Sequence, residues 1–180
     1  MPATSRTARA CALALAGLGL TASTMTALPA AAASGDGANP TRSTTDRATS
    51  RSAARKVSAR VLGARDTALR QRGDAYAYGA SGPDRFDCSG LIYYSFRRAG
   101  FPVPRTSSAQ AGFTRRVAKS DMRPGDLMFF HGSGGVYHAA IFLRWSRGHA
   151  LMLHSPGSGQ RVRVAVPWTS SWFGGTLRRG

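Results

Sequence analysis

Hydrophobic and polar positions follow different patterns in the two halves of the chain. From Ala53 to Arg72, apolar residues return at roughly helical spacing among arginines, and Gly73 follows as a stop. A second helix is predicted to begin at Cys88, with Asp87 as its N-cap and Gly100 just past its end. Helices therefore come first in the predicted order of elements.

Beyond Met122, short apolar runs are separated by Gly/Ser turns, a pattern typical of β-strands. Helices followed by a series of short strands favour an α+β fold with a central antiparallel sheet. We expect a single domain over residues 53–180, in which the N-terminal helices pack on that sheet. The predicted strands are Leu127 to Phe130, His138 to Trp145, Ala150 to His154 and Arg161 to Val166.

The first 33 residues have the pattern of a secretory signal peptide. Two arginines precede an uncharged Ala/Leu/Gly stretch, and small residues ending at Ala33 follow. We expect residues 1–33 to be removed and the mature protein to be secreted, since polar residues in the second half disfavour stable membrane insertion. Residues 34–52 contain no aromatic or large aliphatic side chain, which predicts a flexible basic tether.

The charge of the chain is strongly positive. Its 180 residues include 25 Lys+Arg and 8 Asp+Glu, for a formal net charge of +17. This length excludes a large multidomain enzyme. The charge favours a polyanionic partner, but export and the lack of a nucleic-acid-binding motif argue against nucleic acid.

Removal of the signal peptide would take Cys11 with it and leave Cys88 as the only cysteine. A single thiol cannot form an internal disulfide, so Cys88 is either a small packing residue or a reactive group. Its position at a helix N-terminus favours a thiolate, because unpaired N–H groups and the helix dipole stabilise negative charge there. We expect a nucleophile.

Two of the four histidines are candidates to activate this cysteine. His138 opens one predicted strand and His154 ends the next, so a hairpin would place them side by side. A catalytic cysteine needs an imidazole as its base, and the imidazole needs a polar group that fixes its tautomer. His131 and His149 lie in turn-like segments and are expected to be exposed. Neither a metal site nor a cofactor is expected, because no close zinc-ligand spacing is present.

Taken together, these residues resemble the NlpC-type peptidoglycan endopeptidases, which are papain-like cysteine peptidases of bacterial cell walls. The resemblance covers about Ala53 to Trp172. It rests on motifs in a fixed order: Tyr76-Ala77-Tyr78-Gly79, Phe86-Asp87-Cys88-Ser89-Gly90-Leu91, Pro104-Arg105-Thr106-Ser107, Pro124-Gly125-Asp126-Leu127, His138 at the start of a strand, and Leu153-His154-Ser155.

The resemblance implies a role for each residue of the site. Cys88 would be the nucleophile, His138 the general base and acid, and His154 the residue that orients His138. Tyr76 matches the family tyrosine near the oxyanion site. Ser89 and Arg105 are also expected to bind the oxyanion or the substrate. The turn that precedes His154 is longer than in the family pattern. His149 is therefore an alternative to His154 as the residue that orients His138.

The resemblance also implies a function and partners. The expected activity is hydrolysis of peptidoglycan stem peptides at the bond from the γ-carboxyl of D-glutamate to the diamino acid. The basic tether is expected to meet anionic wall polymers, and the protein is expected to be a monomer. Two alternatives remain: a catalytically silent wall-binding protein, and an amidase or acyltransferase on the same fold.

Overall fold

A computed structural model describes residues 40–178 of the chain; the predicted signal peptide and the first residues of the predicted tether lie outside this range. The helices are α1 (Pro40–Leu69), α2 (Cys88–Arg98) and α3 (Ser107–Phe113), with a short 3-10 helix at Lys119–Asp121. The strands are β1 (Ala75–Tyr76), β2 (Arg85–Phe86), β3 (Arg115–Val117), β4 (Leu127–Gly132), β5 (Gly135–Ser146), β6 (His149–His154), β7 (Arg163–Ala165) and β8 (Trp172–Thr176).

Helix α1 begins at Pro40 rather than near Ala53, so the predicted flexible tether is helical from residue 40 onward. No Gly or Pro interrupts residues 41–62, and alanine and arginine favour helix even where nothing packs against it. Residues 44–56 are exposed, whereas the later positions Val61, Ala64 and Ala68 are fully buried. Among the described helices, none is both long and apolar enough to cross a membrane.

The main sheet has six strands in the order β3-β8-β4-β5-β6-β7, and all neighbours are antiparallel. This arrangement confirms the predicted α+β class with a central antiparallel sheet. The four predicted strands correspond to β4, β5, β6 and β7. Strands β1 and β2 form a separate two-stranded parallel sheet.

The apolar run of β4 is continuous because both faces of the sheet are covered. Leu127 and Phe129 belong to the core that also contains α2 residues, whereas Met128 and Phe130 belong to a second cluster that includes Trp172. The side chains of these four β4 residues are fully buried, whereas His131 at the end of the strand is exposed. Each large apolar side chain buried in this way stabilises the fold by about 1.5–3 kcal/mol.

Six elements escape the sequence pattern: α3, the short 3-10 helix, β1, β2, β3 and β8. Strand β8 contains Gly174 and Gly175, a pair that resembles a turn signal in sequence. In the structure, a Cβ at Gly175 would overlap the Thr114 side chain and press on the ring of Phe129. The glycines therefore permit close packing within the sheet, which is a long-range requirement.

Candidate active site

Cys88 is the first residue of α2, directly after its N-cap. Asp87 has an extended backbone, and its Oδ1 accepts a hydrogen bond from the N–H of Gly90 at 2.6 Å. This confirms the predicted cap. Leu91 and Ile92 are fully buried in the core and fix the direction of the helix. The Cys88 side chain is partly buried and has no disulfide partner within residues 40–178.

Asp87 organises the loop in front of this helix. Its Oδ2 accepts hydrogen bonds from the N–H of Gly79 at 2.9 Å and from Nη2 of Arg105 at 2.7 Å. Burial raises the pKa of Asp87, but the hydrogen bonds from Arg105, Gly90 and Gly79 and the charge of Arg105 outweigh it and hold the pKa below its ordinary value. The carboxylate therefore stays charged at neutral pH.

Arg105 clamps the loop to the helix start. Besides Asp87, its guanidinium donates to Oγ of Ser89 at 3.0 Å and to the carbonyl of Ala80 at 3.1 Å. A Cβ at Gly90 would overlap that same carbonyl, so glycine allows the loop to come this close. Because these groups bind one another, direct contact of Ser89 or Arg105 with substrate stays a prediction.

On the opposite side of Cys88, the hairpin of β5 and β6 brings two imidazoles together. Nε2 of His138 lies 3.0 Å from Nδ1 of His154, and the rings are nearly perpendicular. Both side chains are buried. His131 and His149 are exposed, as predicted, and His149 lies at the far end of β6, beside the turn. The geometry therefore pairs His138 with His154.

Burial sets the protonation of both imidazoles. It lowers the pKa of His138 to about 4, against a small opposing effect of Asp87. Burial, followed by the charges of His138 and Arg163, lowers the pKa of His154 to about 3. Both rings are therefore neutral at pH 7.

The pKa of the Cys88 thiol is raised, whereas its position at the helix N-terminus predicted a thiolate. Burial raises the pKa of Cys88, and hydrogen bonds from the N–H groups of Ala139 and Ser89 only partly oppose this. The resting pair is therefore a thiol beside a neutral imidazole rather than a thiolate beside an imidazolium. In this state the helix N-terminus stabilises negative charge only when it forms during reaction.

The hydrogen bond between the two imidazoles determines which nitrogen of His138 can act as a base. Since Nε2 of His138 is engaged with His154, Nδ1 is the nitrogen available to accept a proton. In that tautomer Nε2–H donates to His154, whose own proton then lies on Nε2. Nε2 of His154 is buried and has no hydrogen-bond partner within residues 40–178.

Trp168 covers the imidazole pair and was not identified from the sequence. Its ring stacks on Phe130 with centroids 4.5 Å apart and contacts the rings of His138 at 5.2 Å and His154 at 5.8 Å. In the sequence, Trp168 lies between Pro167 and Thr169 in a predicted loop. Nothing in this local pattern indicates that its ring contacts the two histidines. Trp168 contributes to the burial that keeps both imidazoles neutral.

The predicted site residues meet at one cleft of about 600 Å³. His154 is the exception, since it lies behind His138. Burial raises the pKa of Tyr76, and the nearby Cys88 and Asp87 raise it further, so its hydroxyl remains a hydrogen-bond donor. Within the described residues, no cluster of metal-ligating side chains is present. The cleft is lined by Tyr76, Tyr78, Gly79, Asp87, Cys88, Ser89, Arg105, Thr106, Ser107, Tyr137, His138, Pro156 and Trp168.

Bacterial proteins with similar sequences or structures include a probable endopeptidase and a P60 domain. The probable endopeptidase Rv2190c of Mycobacterium tuberculosis is 43% identical over 104 residues, which are 58% of this chain and 25% of that protein. The P60 domain of the Mycobacterium avium subspecies paratuberculosis antigen MAP1204 has a TM-score of 0.58 and 27% identity, over 67% of this chain and 96% of that domain.

A third similar protein shows that this fold also occurs without catalysis. RipD of Mycobacterium tuberculosis, described as a non-catalytic NlpC/p60 domain protein adapted to peptidoglycan binding, has a TM-score of 0.55 and 25% identity. The match covers 66% of this chain and 97% of RipD. The sequence model of the NlpC/P60 family itself matches residues 73–178. This match includes the complete cleft, and the chain is a member of the NlpC/P60 family.

Proposed function

We propose that this protein is a secreted cysteine endopeptidase that hydrolyses the peptide stems of peptidoglycan. The NlpC/P60 family is a family of endopeptidase-type peptidoglycan hydrolases that also includes non-catalytic members. The observation that carries the proposal is the placement of Cys88 at the first turn of α2, in the same cleft as His138, whose Nε2 is 3.0 Å from His154. The proposed scissile bond joins the γ-carboxyl of D-glutamate to the diamino acid.

The proposed reaction begins with proton transfer from a neutral pair. Nδ1 of His138 takes the proton of Cys88 as Sγ attacks the carbonyl carbon, and Nε2–H stays hydrogen-bonded to His154. The backbone N–H of Cys88 and the hydroxyl of Tyr76 stabilise the oxyanion. The imidazolium of His138 then protonates the leaving amine, and water hydrolyses the thioester with His138 again as the base.

Anionic wall polymers are the proposed second partner. The surface proposed to bind them is the exposed part of α1. Arg47, Arg51 and Arg55 recur every four residues in the exposed part of α1, which places them along one face of a helix. Arg60 does not belong to this face, because it donates to the carbonyls of Ala99 and Gly100 at the end of α2. The proposed polymer contact is therefore a helical arginine stripe rather than a flexible tether.

A second candidate function is peptidoglycan binding without cleavage. It is favoured by the raised pKa of Cys88, which makes the resting thiol a weak nucleophile, and by the existence of the non-catalytic neighbour RipD. An amidase or acyltransferase is a further alternative, because the same nucleophile could serve either reaction.

Digestion of purified peptidoglycan tests these alternatives. The protein and its Cys88→Ala variant are each incubated with peptidoglycan, and the released fragments are identified by mass spectrometry. New termini at the D-glutamyl bond, made only by the unmodified protein, are expected. If both proteins sediment with the wall and release nothing, the binding function replaces the endopeptidase. Termini at the sugar–peptide amide would indicate an amidase.

A further inference from the structure

A second depression adjoins the catalytic cleft. It has a volume of about 470 Å³ and lies between the β5–β6 turn and the loop that follows β7. Three of its lining side chains are large, apolar and exposed: Trp145 at 42%, Val166 at 47% and Trp168 at 55%. We refer to this depression as the tryptophan groove.

The exposed apolar side chains of the described chain are concentrated at these two depressions. Five large hydrophobic residues within residues 40–178 are exposed. Tyr78 and Tyr137 line the catalytic cleft, Trp145 and Val166 line the tryptophan groove, and Trp168 lines both. Such concentration is typical of a ligand surface, whereas scattered exposed apolar residues need no explanation.

Trp168 forms the wall between the two depressions. Its ring centroid lies 5.2 Å from that of His138, and it stacks on Phe130 below. A ligand in the tryptophan groove would therefore lie one indole ring away from the catalytic imidazole. The groove is continuous with the cleft rather than a remote patch.

The loop that carries Trp168 is anchored by contacts just beyond it. Nζ of Lys119 donates to the carbonyl of Ser170 at 2.8 Å and lies 4.1 Å from the ring centroid of Trp172. The next carbonyl, that of Ser171, accepts a hydrogen bond from the N–H of His131 at 3.1 Å. These contacts fix the loop that carries Trp168, so a ligand would meet a preformed surface and lose little affinity to ordering it.

The chemistry of the groove fits a sugar. Indole faces carry partial negative charge and attract the polarised C–H groups of a pyranose ring. His149 and Thr169 at the rim supply polar groups for hydroxyls or acetamides. The volume lies in the range of small-molecule sites, whereas a stable protein partner needs about 800 Å² of contact surface.

We propose that the tryptophan groove binds sugar rings of the wall glycan. The inference rests on the proposed function, because a cross-linked stem peptide leads to a glycan strand at each end. A cleft for the peptide and an adjoining groove for the sugar would then recognise two parts of one substrate. Trp145 is the distinctive residue of the groove, since it does not line the cleft.

Titration with a β-1,4-linked N-acetylglucosamine tetramer tests the proposal. The full chain carrying Cys88→Ala is used, and indole N–H resonances are followed by NMR. Saturable shifts of Trp145 and Trp168 are expected, with a dissociation constant of about 1 mM. Adding Trp145→Ala should weaken binding about tenfold, and Trp145→Phe should weaken it less. Arg144→Ala, at an exposed β5 position beside Trp145 that lines neither depression, serves as the control and should leave binding unchanged.

The proposal is overturned if no saturable shift occurs up to about 10 mM tetramer, if Trp145→Ala binds as well as its parent, or if the shifts are confined to the cleft. The binding assay needs no turnover, so its result is independent of cleavage. Stem hydrolysis without tetramer binding would remove this inference alone. Tetramer binding by a protein that releases no fragments would remove only the proposed hydrolase activity.

Discussion

The two walls of the catalytic cleft are built on opposite electrostatic principles. On the helix wall, hydrogen bonds to Asp87 from backbone and from Arg105 keep its charge in a partly dry environment. On the strand wall, burial leaves His138 and His154 neutral, with Nε2 of His154 unpartnered among the described residues. One wall holds a fixed charge, and the other suppresses charge.

This difference assigns different tasks to the walls. A carboxylate that accepts several hydrogen bonds resists protonation, because these bonds and the charge of Arg105 favour its ionised form. A neutral imidazole pair can accept a proton and return it during each turnover. We infer that the helix wall positions Cys88 and the strand wall carries the proton, so substitutions on the two walls should affect different measurements.

The largest expected effect comes from removing the proton carrier. His138→Ala should lower kcat/KM for peptidoglycan stem hydrolysis by about 10³-fold or more, because no other base takes the Cys88 proton. Steady-state assays with a stem peptide measure this, and thermal unfolding shows whether the fold is retained. A loss below about tenfold would mean that another group serves as the base.

Substitutions on the helix wall should instead lower the free energy of unfolding. Asp87→Ala removes the N-cap and the only carboxylate paired with Arg105 among the described residues, so the free energy of unfolding should fall by about 2–4 kcal/mol. Asp87→Asn keeps a capping oxygen and should cost less. Urea denaturation measures both. Equal losses in the two variants would contradict a separate contribution from capping.

The same wall has a signature at acid pH. Since the folded-state pKa of Asp87 lies below its unfolded value, its charge stabilises the fold above about pH 4, and this contribution is lost as pH falls through the folded pKa. In Asp87→Asn this acid-side loss of stability should disappear. Unfolding curves collected between about pH 2 and pH 6 test this.

Substitution of Trp168, on the strand wall, should have an effect of intermediate size on the pH dependence of activity. In the proposed mechanism neutral His138 is the active form, so activity should fall as pH drops through its pKa of about 4. Trp168→Ala exposes both imidazoles to water, which should move this acid limb upward by about one pH unit toward the ordinary histidine pKa. Trp168→Phe should move it less. A pH–kcat profile measures the shift, and an unmoved limb would contradict the shielding role.

Burial of the imidazoles also has a cost in stability. Both folded pKa values lie below the unfolded value of about 6.5, so the unfolded chain binds more protons in between. Stability should therefore be complete above about pH 6.5 and decline toward pH 4. Trp168→Ala should flatten this decline, which the same unfolding series measures.

The smallest effect is expected at Ser89. Its hydroxyl lies 3.3 Å from Oδ1 of Asp87 and accepts a hydrogen bond from Arg105 at 3.0 Å, within an already redundant network. Ser89→Ala should cost about 0.5–1 kcal/mol of unfolding free energy and leave KM unchanged. A clear rise in KM would instead assign Ser89 a direct contact with substrate.

The parts of the site that could be predicted depend on local signals. An aspartate before Cys88 and a glycine after two arginines mark the ends of α2, because capping involves only neighbouring residues. The pairing of His138 with His154 follows from a hairpin with alternating turns and strands. Local patterns therefore located the helix, the hairpin and the candidate nucleophile.

Other features depend on residues far apart in the chain. The donors of Arg105 are taken by Asp87, Ser89 and Ala80, and Trp168 reaches the histidines from a separate loop. The direction of the Cys88 pKa shift depends on how deeply the folded chain buries the thiol, which helix position alone does not specify. Helix α1 began earlier than predicted because an unpacked helix leaves no hydrophobic pattern.

The position of β8 has a consequence for biosynthesis. Strand β8, the last in order among the described strands, pairs with both β3 and β4 and so lies inside the sheet. Until it has been synthesised, the apolar β4 lacks its neighbour and presents an open edge, which is prone to aggregate. The sheet can close only after residues up to Thr176 have left the ribosome, and nascent chains ending before Trp172 should depend on chaperones to stay unaggregated.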